Sequence, residues 1–254
     1  MLNFAINTAR EARRILAERF GRVSVTYKQN DIDLVTEADL ASERYIIGQI
    51  NTHFPRHAIL AEESGATETA GAEYRWVIDP LDGTTNYAHN YPCFCVSIGL
   101  EHKGELVVGA VYDPTRDEMF AAEKGGGATL NGRLMRVSET EQLSRALLCT
   151  GFPYNVRSRA DFTREWRNFT LHAHGIRRDG SAALDLAYVA AGRFDGFWED
   201  GLNPWDMAAG ALLVTEAGGR ITNYEGGPLS IYQPPVIASN SLIHDDMMSV
   251  LRLP

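Results

Sequence analysis

The stretch WVIDPLDGTTNYAHNYP, residues 76–92, constrains this chain more than any other. An apolar run that reads as a buried strand ends on Asp79 and Asp82, three positions apart, and passes at once into Gly83-Thr84-Thr85. Pro80 presets φ and Gly83 permits a positive φ, so Asp-Pro-Leu-Asp-Gly is good turn chemistry in its own right. Turn chemistry accounts for the corner. It leaves open why two carboxylates should share it, and the rest of the chain has to decide between a plain turn and a site.

The 254 residues suit one large domain or two lobes sharing a core, and an apolar fraction of 44% is ordinary for a soluble globular protein. No run of about 18 apolar residues marks a membrane span. The first residues lack the order of a signal peptide. They read instead as an amphipathic helix with Leu2, Ala5, Ile6, Ala9, Ala12, Leu16 and Phe20 on one face. A net charge of −9 argues against a surface that coats nucleic acid, and suits a site that gathers carboxylates around metal. No nucleic-acid or membrane partner is therefore expected. Three cysteines are too few, and odd in number, for a disulfide framework, which points to a reducing compartment, the cytoplasm. Cys93 and Cys95 share one face of an expected strand and read as core residues.

Helices and strands alternate without strict βαβ order. Thr36 followed by Asp39 resembles a capping box at the start of a second helix, TEADLASERYIIGQINTHF. HAILAEES reads as a short strand running into Glu62 and Glu63, SGATETAGAEY as an exposed loop, and CFCVSIGLEHKGELVVGAVYDP as a hairpin about Lys103-Gly104. Further short strands with Gly and Asn-Gly turns follow. The character changes near residue 140, so two lobes are expected: residues 1–140, a mostly antiparallel sheet with helices carrying the acidic turn, and residues 141–254, a layered α/β lobe completing the site. In the second, IRRDGS reads as a turn, SAALDLAYVAAG as a helix closed by Gly192, and NPWDMAAGALLVTEAGG as a helix with Asn203 at its N-cap, Pro204 at N1 and Gly218 past its end.

Acids fall at four element ends: Glu62-Glu63, Asp79 with Asp82, Glu199-Asp200, and Asp206. Singly, each has a plain structural role. Glu62 and Glu63 can solvate a strand end, Asp206 at N3 suits the helix macrodipole, and Glu199 can sit at the surface. Together they suit a hard cation, since magnesium takes a few carboxylates and keeps several waters. Two aspartates on one turn can converge on an ion or bridge a pair, and the Leu81 carbonyl between them can turn inward as a further oxygen. Gly83, Thr84 and Thr85 would then open a short helix facing an anion. Other motifs fail on spacing: NDIDLV lacks the glycine of an EF-hand, and neither a P-loop nor H-E-x-x-H is present. A haloacid-dehalogenase type of phosphatase carries D-x-D-G-T, one residue shorter than the motif here, with a covalent aspartate as nucleophile.

At this point the chain resembles the inositol monophosphatase family of magnesium-dependent, lithium-sensitive phosphatases. AEES followed by WVIDPLDGTTNY is similar to that family's first signature, and NPWDMAAGALLVTEAGG to its second, while DLVTEAD and DGSAALDLAYVAAG fit the segments before and between them. The resemblance covers essentially the whole chain. It implies a layered α-β-α-β-α sugar-phosphatase sandwich of α+β or α/β class, often dimeric, holding two to three magnesium ions. By resemblance, Glu62, Asp79 and the Leu81 carbonyl hold one ion, Asp79, Asp82 and Asp206 a second, and Glu62 faces a looser third. Thr84, with Glu62, positions a metal-activated water, and Asp39 supports it. The N–H groups of Gly83 and Thr84 take phosphate oxygens. Gly180, Ser181, Ala182 and Glu199 contact the polyol alongside Leu81, Asp82 and Asp206. Lys28 lies in a loop that is mobile in relatives.

Family members divide among inositol phosphates, fructose 1,6-bisphosphate, histidinol phosphate and 3′-phosphoadenosine nucleotides. Thr85, where nucleotide-directed relatives tend to have lysine, favours an inositol phosphate. Glu199 can accept hydrogen bonds from two hydroxyls, as a polyol requires. Asn203 stands where bacterial relatives commonly carry a basic residue. A binding or regulatory protein that kept the fold is the non-enzyme reading; loss of an acid would mark it, and none is missing.

Overall fold

A computed structural model describes residues 1–22, 25–27, 34–152 and 162–254. Lys28 therefore lies outside the described residues. The chain begins with α1 (Leu2–Arg19), β1 (Val25–Tyr27), β2 (Leu34–Thr36), α2 (Glu37–His53), β3 (Ala58–Ala61), β4 (Gly65–Thr67), β5 (Tyr74–Asp82) and α3 (Thr84–Ala88). Then come β6 (Cys95–His102), β7 (Glu105–Asp113), β8 (Glu118–Glu123), β9 (Gly127–Leu130), β10 (Arg133–Leu134) and β11 (Leu147–Thr150). The remainder is α4 (Phe162–His172), β12 (Gly175–Arg177), α5 (Ala182–Ala190), β13 (Gly196–Glu199), α6 (Pro204–Glu216), β14 (Arg220–Thr222), β15 (Val236–Ser239) and α7 (His244–Leu251).

These elements stack in five layers, α-β-α-β-α. An eight-stranded sheet runs β10-β9-β8-β7-β6-β5-β3-β4 and a five-stranded sheet runs β12-β11-β13-β15-β14. Alternation along β5 shows how one strand serves two cores. Trp76 and Ile78 pack towards α1 and α2, with Ala5, Ala9, Ala12, Leu16, Ile46 and Ile50. Val77 points to the opposite face, into a core made with α5 and α6. Those two central helices are apolar almost all round because each is covered by a sheet on both sides. A third core, with Phe169, Trp198 and Met247, lies between the second sheet and α4 with α7.

Local chemistry sets several boundaries. The capping box at α2 is complete, with Thr36 and Asp39 bonded reciprocally. Lys103-Gly104 and Asn131-Gly132 all take positive φ, so both expected hairpin turns form. Two expectations are corrected. SGATETAGAEY contains β4, paired antiparallel with β3, and IRRDGS overlaps β12, paired parallel with β11. Both are three-residue edge strands whose pairing comes from the neighbour, so small or charged residues suffice. No helix among the described residues is long and apolar enough to cross a membrane.

His244 fastens α7 to the second sheet. It is fully buried, with Nδ1 2.9 Å from Ser239 Oγ and Nε2 3.0 Å from Thr222 Oγ1. Burial, with Arg220 adding to it, pushes its pKa down to about 4. A histidine whose folded value lies below its unfolded value of about 6.5 stabilises the fold while neutral. That contribution is complete above the unfolded value and is lost as pH falls towards 4. Urea unfolding is expected to show about 2–3 kcal/mol less stability at pH 4.5 than at 7.5 from this group alone. The same slope in His244→Gln as in the native chain would contradict this.

Candidate active site

Asp79 and Asp82 reach one face through an irregularity in β5. In a regular strand, residues three apart point to opposite faces. Here Asp79 pairs with Ser97 and Asp82 with Cys95, so three steps along β5 match two along β6. That extra residue is a β-bulge, and it absorbs Pro80, which has no N–H to give the ladder. Leu81 turns its side chain into the α1–α2 core, while Asp82 meets Cys95 on the face that α5 and α6 cover. The Asp-Pro-Leu-Asp spacing is thus a device for changing face. The turn that follows needs glycine: Gly83 has φ +95°, and a β-carbon there would lie 2.9 Å from the Cys93 carbonyl oxygen.

Asp206 arrives from α6. Asn203 caps that helix, Pro204 occupies its first turn, and the Asn203 N–H donates to Asp206 Oδ2 at 2.6 Å. The helix lies so close on the first sheet that a β-carbon on Gly109 would sit 2.7 Å from the Ala209 carbonyl oxygen. This approach brings the start of α6 to the end of β5. Oxygens of Asp79, Asp82 and Asp206 all lie within 4.8 Å of one another.

Each of the three carboxyls is pushed up from its ordinary range. For Asp79, burial is the main cause, followed by the charges of Glu62, Asp82 and Asp206, against one opposing hydrogen bond from the Leu81 N–H at 2.9 Å. For Asp206 it is burial, then Asp82. Asp82 is raised by burial and partly relieved by hydrogen bonds to Oδ2 from Ser181 Oγ at 2.6 Å and the Ala183 N–H at 2.8 Å. Acids gathered in this way with no cation beside them are destabilising.

A chain of hydrogen bonds leads away from the turn. Thr84 Oγ1 lies 3.0 Å from both Asp39 Oδ1 and the Leu81 carbonyl oxygen. Asp39 Oδ2 accepts from the Thr36 N–H at 2.8 Å and from Thr36 Oγ1. Asp39 is fully buried and does not line the cleft, so it stands behind Thr84 and holds its hydroxyl.

The cleft over this turn encloses about 760 Å³, its open mouth included. Glu62, Asp79, Leu81, Asp82, Gly83, Thr84, Gly180, Ser181, Ala182, Glu199 and Asp206 all line it. Every expected site residue except Asp39 therefore lines one cavity. Ser181 spends its hydroxyl on Asp82 rather than offering it to the cavity. Burial raises Glu199 to about 8, with Arg178 pulling it back.

Of the lining residues that went unread in the sequence, three bear on the chemistry: Arg178, Asp185 and Gly151. Arg178 is the one cation among the described lining residues, with its guanidinium 5.7 Å from the Phe152 ring centre. Asp185 is a buried acid whose two oxygens have no hydrogen-bond partner among the described residues, and burial with Asp179 and Glu199 raises it strongly. A lone carboxylate inside the apolar helix AALDLAYVA was its signal. Gly151, beside Glu199, carried no signal at all. The cysteines behave as expected: all three are free and buried, and Cys95 Sγ lies 3.7 Å from Asp82 Oδ2.

Comparison with known proteins places this fold and cleft in a class of phosphoric monoester hydrolases. A model of the inositol monophosphatase family matches residues 1–252. The inositol-1-monophosphatase of Synechocystis is 49% identical over 220 residues, covering 86% of this chain and 77% of that protein. The Nus factor SuhB of Pseudomonas aeruginosa is 45% identical over 260 residues, covering 99% of this chain and 96% of that protein. The solved inositol monophosphatase of Anabaena superposes with a TM-score of 0.91 at 47% identity, covering 100% of this chain and 96% of that one. The chain belongs to the inositol monophosphatase family.

Proposed function

We propose that the chain hydrolyses the phosphate monoester of a small polyol, with myo-inositol monophosphate as the substrate and magnesium as the metal, two to three ions in all. The observation that carries this is the acid balance of the cleft. Among the described lining residues, six carboxyl groups, of Glu62, Asp79, Asp82, Asp185, Glu199 and Asp206, stand against one guanidinium. A phosphate dianion cannot enter such a cavity unless cations come with it. The donor set fits: three hard carboxylates within 4.8 Å, backed by Glu62 and the Leu81 carbonyl. A divalent cation bound there would supply Lewis acidity and lower the pKa of a water, so that it can give up a proton and attack phosphorus.

The chain's own residues do the rest. Thr84, held by Asp39 and fixed through the α2 cap, orients the attacking water with Glu62. The N–H groups of Gly83 and Thr84 receive phosphate oxygens. Glu199 takes the hydroxyls of the polyol beside Gly180, Ser181 and Ala182. We read residues 1–140 as the lobe that brings the acidic turn and 141–254 as the lobe that closes the cleft over it. Three free, buried cysteines support the cytoplasm as the compartment, and a homodimer is part of the same reading.

Phosphate release from myo-inositol 1-phosphate, fructose 1,6-bisphosphate, histidinol phosphate and phenyl phosphate, with and without magnesium, tests the proposal. The inositol ester is expected to lead, with no turnover in chelator. Preference for the bisphosphate or the amine would reassign the substrate, and no turnover of any ester would return the chain to a binding role. Lithium replacing sodium at fixed ionic strength is expected to inhibit uncompetitively at millimolar concentration. The site of Asp79, Asp82 and Asp206 is completed only by phosphate oxygens, so the inhibitor needs them in place. Unchanged rates up to about 100 mM lithium, where ionic screening is already strong, would contradict the ligand assignment.

A further inference from the structure

We propose that Gly151 is a specificity-determining residue: by lacking a side chain, it lets the Glu199 carboxylate lie across the floor of the cleft, at the height where a polyol binds. The inference rests on the polyol reading of Glu199 and adds to it the residue that sets where that carboxylate can be. β11 and β13 are parallel neighbours, and their register pairs Thr150 with Trp198, so the next positions, Gly151 just past β11 and Glu199 at the end of β13, lie side by side. Thr150 Oγ1 also donates to the Trp198 carbonyl oxygen, which ties the two strand ends together at that step.

Glu199 then leans over its neighbour rather than away from it. A β-carbon on Gly151 would lie 2.1 Å from Glu199 Oε1, 2.2 Å from Oε2 and 2.3 Å from the carboxyl carbon. All three overlaps fall on the functional end of the side chain, not on its stem. Ordinary contact needs about 3.5 Å, so alanine at 151 must displace the carboxylate by about 1 Å or more. Glu199 is held in β13 by its pairing with Val236, and Thr150 fixes the end of β11 beside it, so the Glu199 side chain is the part that rotates away. Glu199 is nevertheless buried and near Arg178, Asp82, Asp200 and Asp185, so a rotated carboxylate meets either the guanidinium or other acids. Its geometry towards a hydroxyl pair is therefore fixed by the absence of one methyl group.

The phosphate end of the cleft is built from β5, α3 and α6 and does not touch Gly151 by any of these contacts. A shift at 151 should act on selection between esters more than on hydrolysis. The ratio of kcat/KM for myo-inositol 1-phosphate to that for phenyl phosphate, which has no hydroxyls to offer, is expected to fall about tenfold or more in Gly151→Ala, chiefly through KM. Glu199→Gln should lower the ratio similarly, and the double variant should be little worse than either, because both changes act on one carboxylate. Independent, multiplying losses, or an unchanged ratio, would overturn the proposal. A crystal structure of Gly151→Ala reads the same contact without any substrate. Glu199 displaced supports the inference even if the polyol is reassigned, and Glu199 in its original place refutes it.

Discussion

Asp206→Asn is expected to lower kcat/KM by at least about 10³-fold, or about 4 kcal/mol of transition-state stabilisation, while raising the melting temperature of the metal-free protein. The two effects have opposite signs for one reason. Asp206 is a carboxyl raised by burial and then by its acidic neighbours, so in metal-free protein the charged form carries a cost that the amide removes. Asparagine can still accept the Asn203 N–H through Oδ1, so the helix cap survives the change. Each kcal/mol so recovered corresponds to about 2–4 °C in a chain of this size. Asp82→Asn should cost comparable activity. The double variant should be little worse than either single one, since both acids serve one shared centre. Cleanly multiplying losses, or a lower metal-free melting temperature for Asp206→Asn, would count against a shared ion.

Thr84→Ala should lower kcat about 10²-fold with magnesium affinity nearly intact. Its hydroxyl is no carboxylate ligand. It is an orienting group, held between Asp39 Oδ1 and the Leu81 carbonyl oxygen at 3.0 Å each. Thr84→Ser keeps that oxygen and should recover most of the rate. Steady-state kinetics beside a magnesium titration separates the two roles: a large loss of magnesium affinity without a kcat effect would remove Thr84 from the attack and place it with the ligands.

How much of this was legible in the residues differs from feature to feature. Caps and turns have local chemistry, so Thr36, Asp39, Asn203, Pro204 and Lys103-Gly104 could be read directly and stand where expected. The two edge strands β4 and β12 could not, because their pairing belongs to the neighbouring strand. Asp79 and Asp82 were visible as a pair, but not the bulge that turns them to one face. That depends on the register against Ser97 and Cys95, which no single strand encodes. Asp39 was marked as a site residue, and only the fold places it behind Thr84 rather than in the cleft. Gly151 and Arg178 join the site through the parallel β11–β13 pair and the loop after β12, a juxtaposition set entirely by tertiary structure.

The claim on which the rest depends is that the aspartates brought together by β5 and α6 hold the metal the reaction needs. Calorimetric titration of magnesium into chelated protein, with inorganic phosphate present, measures this directly. The native chain should bind saturably, and Asp79→Asn, which removes the acid assigned to both principal ions, should bind at least about tenfold more weakly. Equal magnesium affinity in the native chain and in Asp79→Asn would contradict the account.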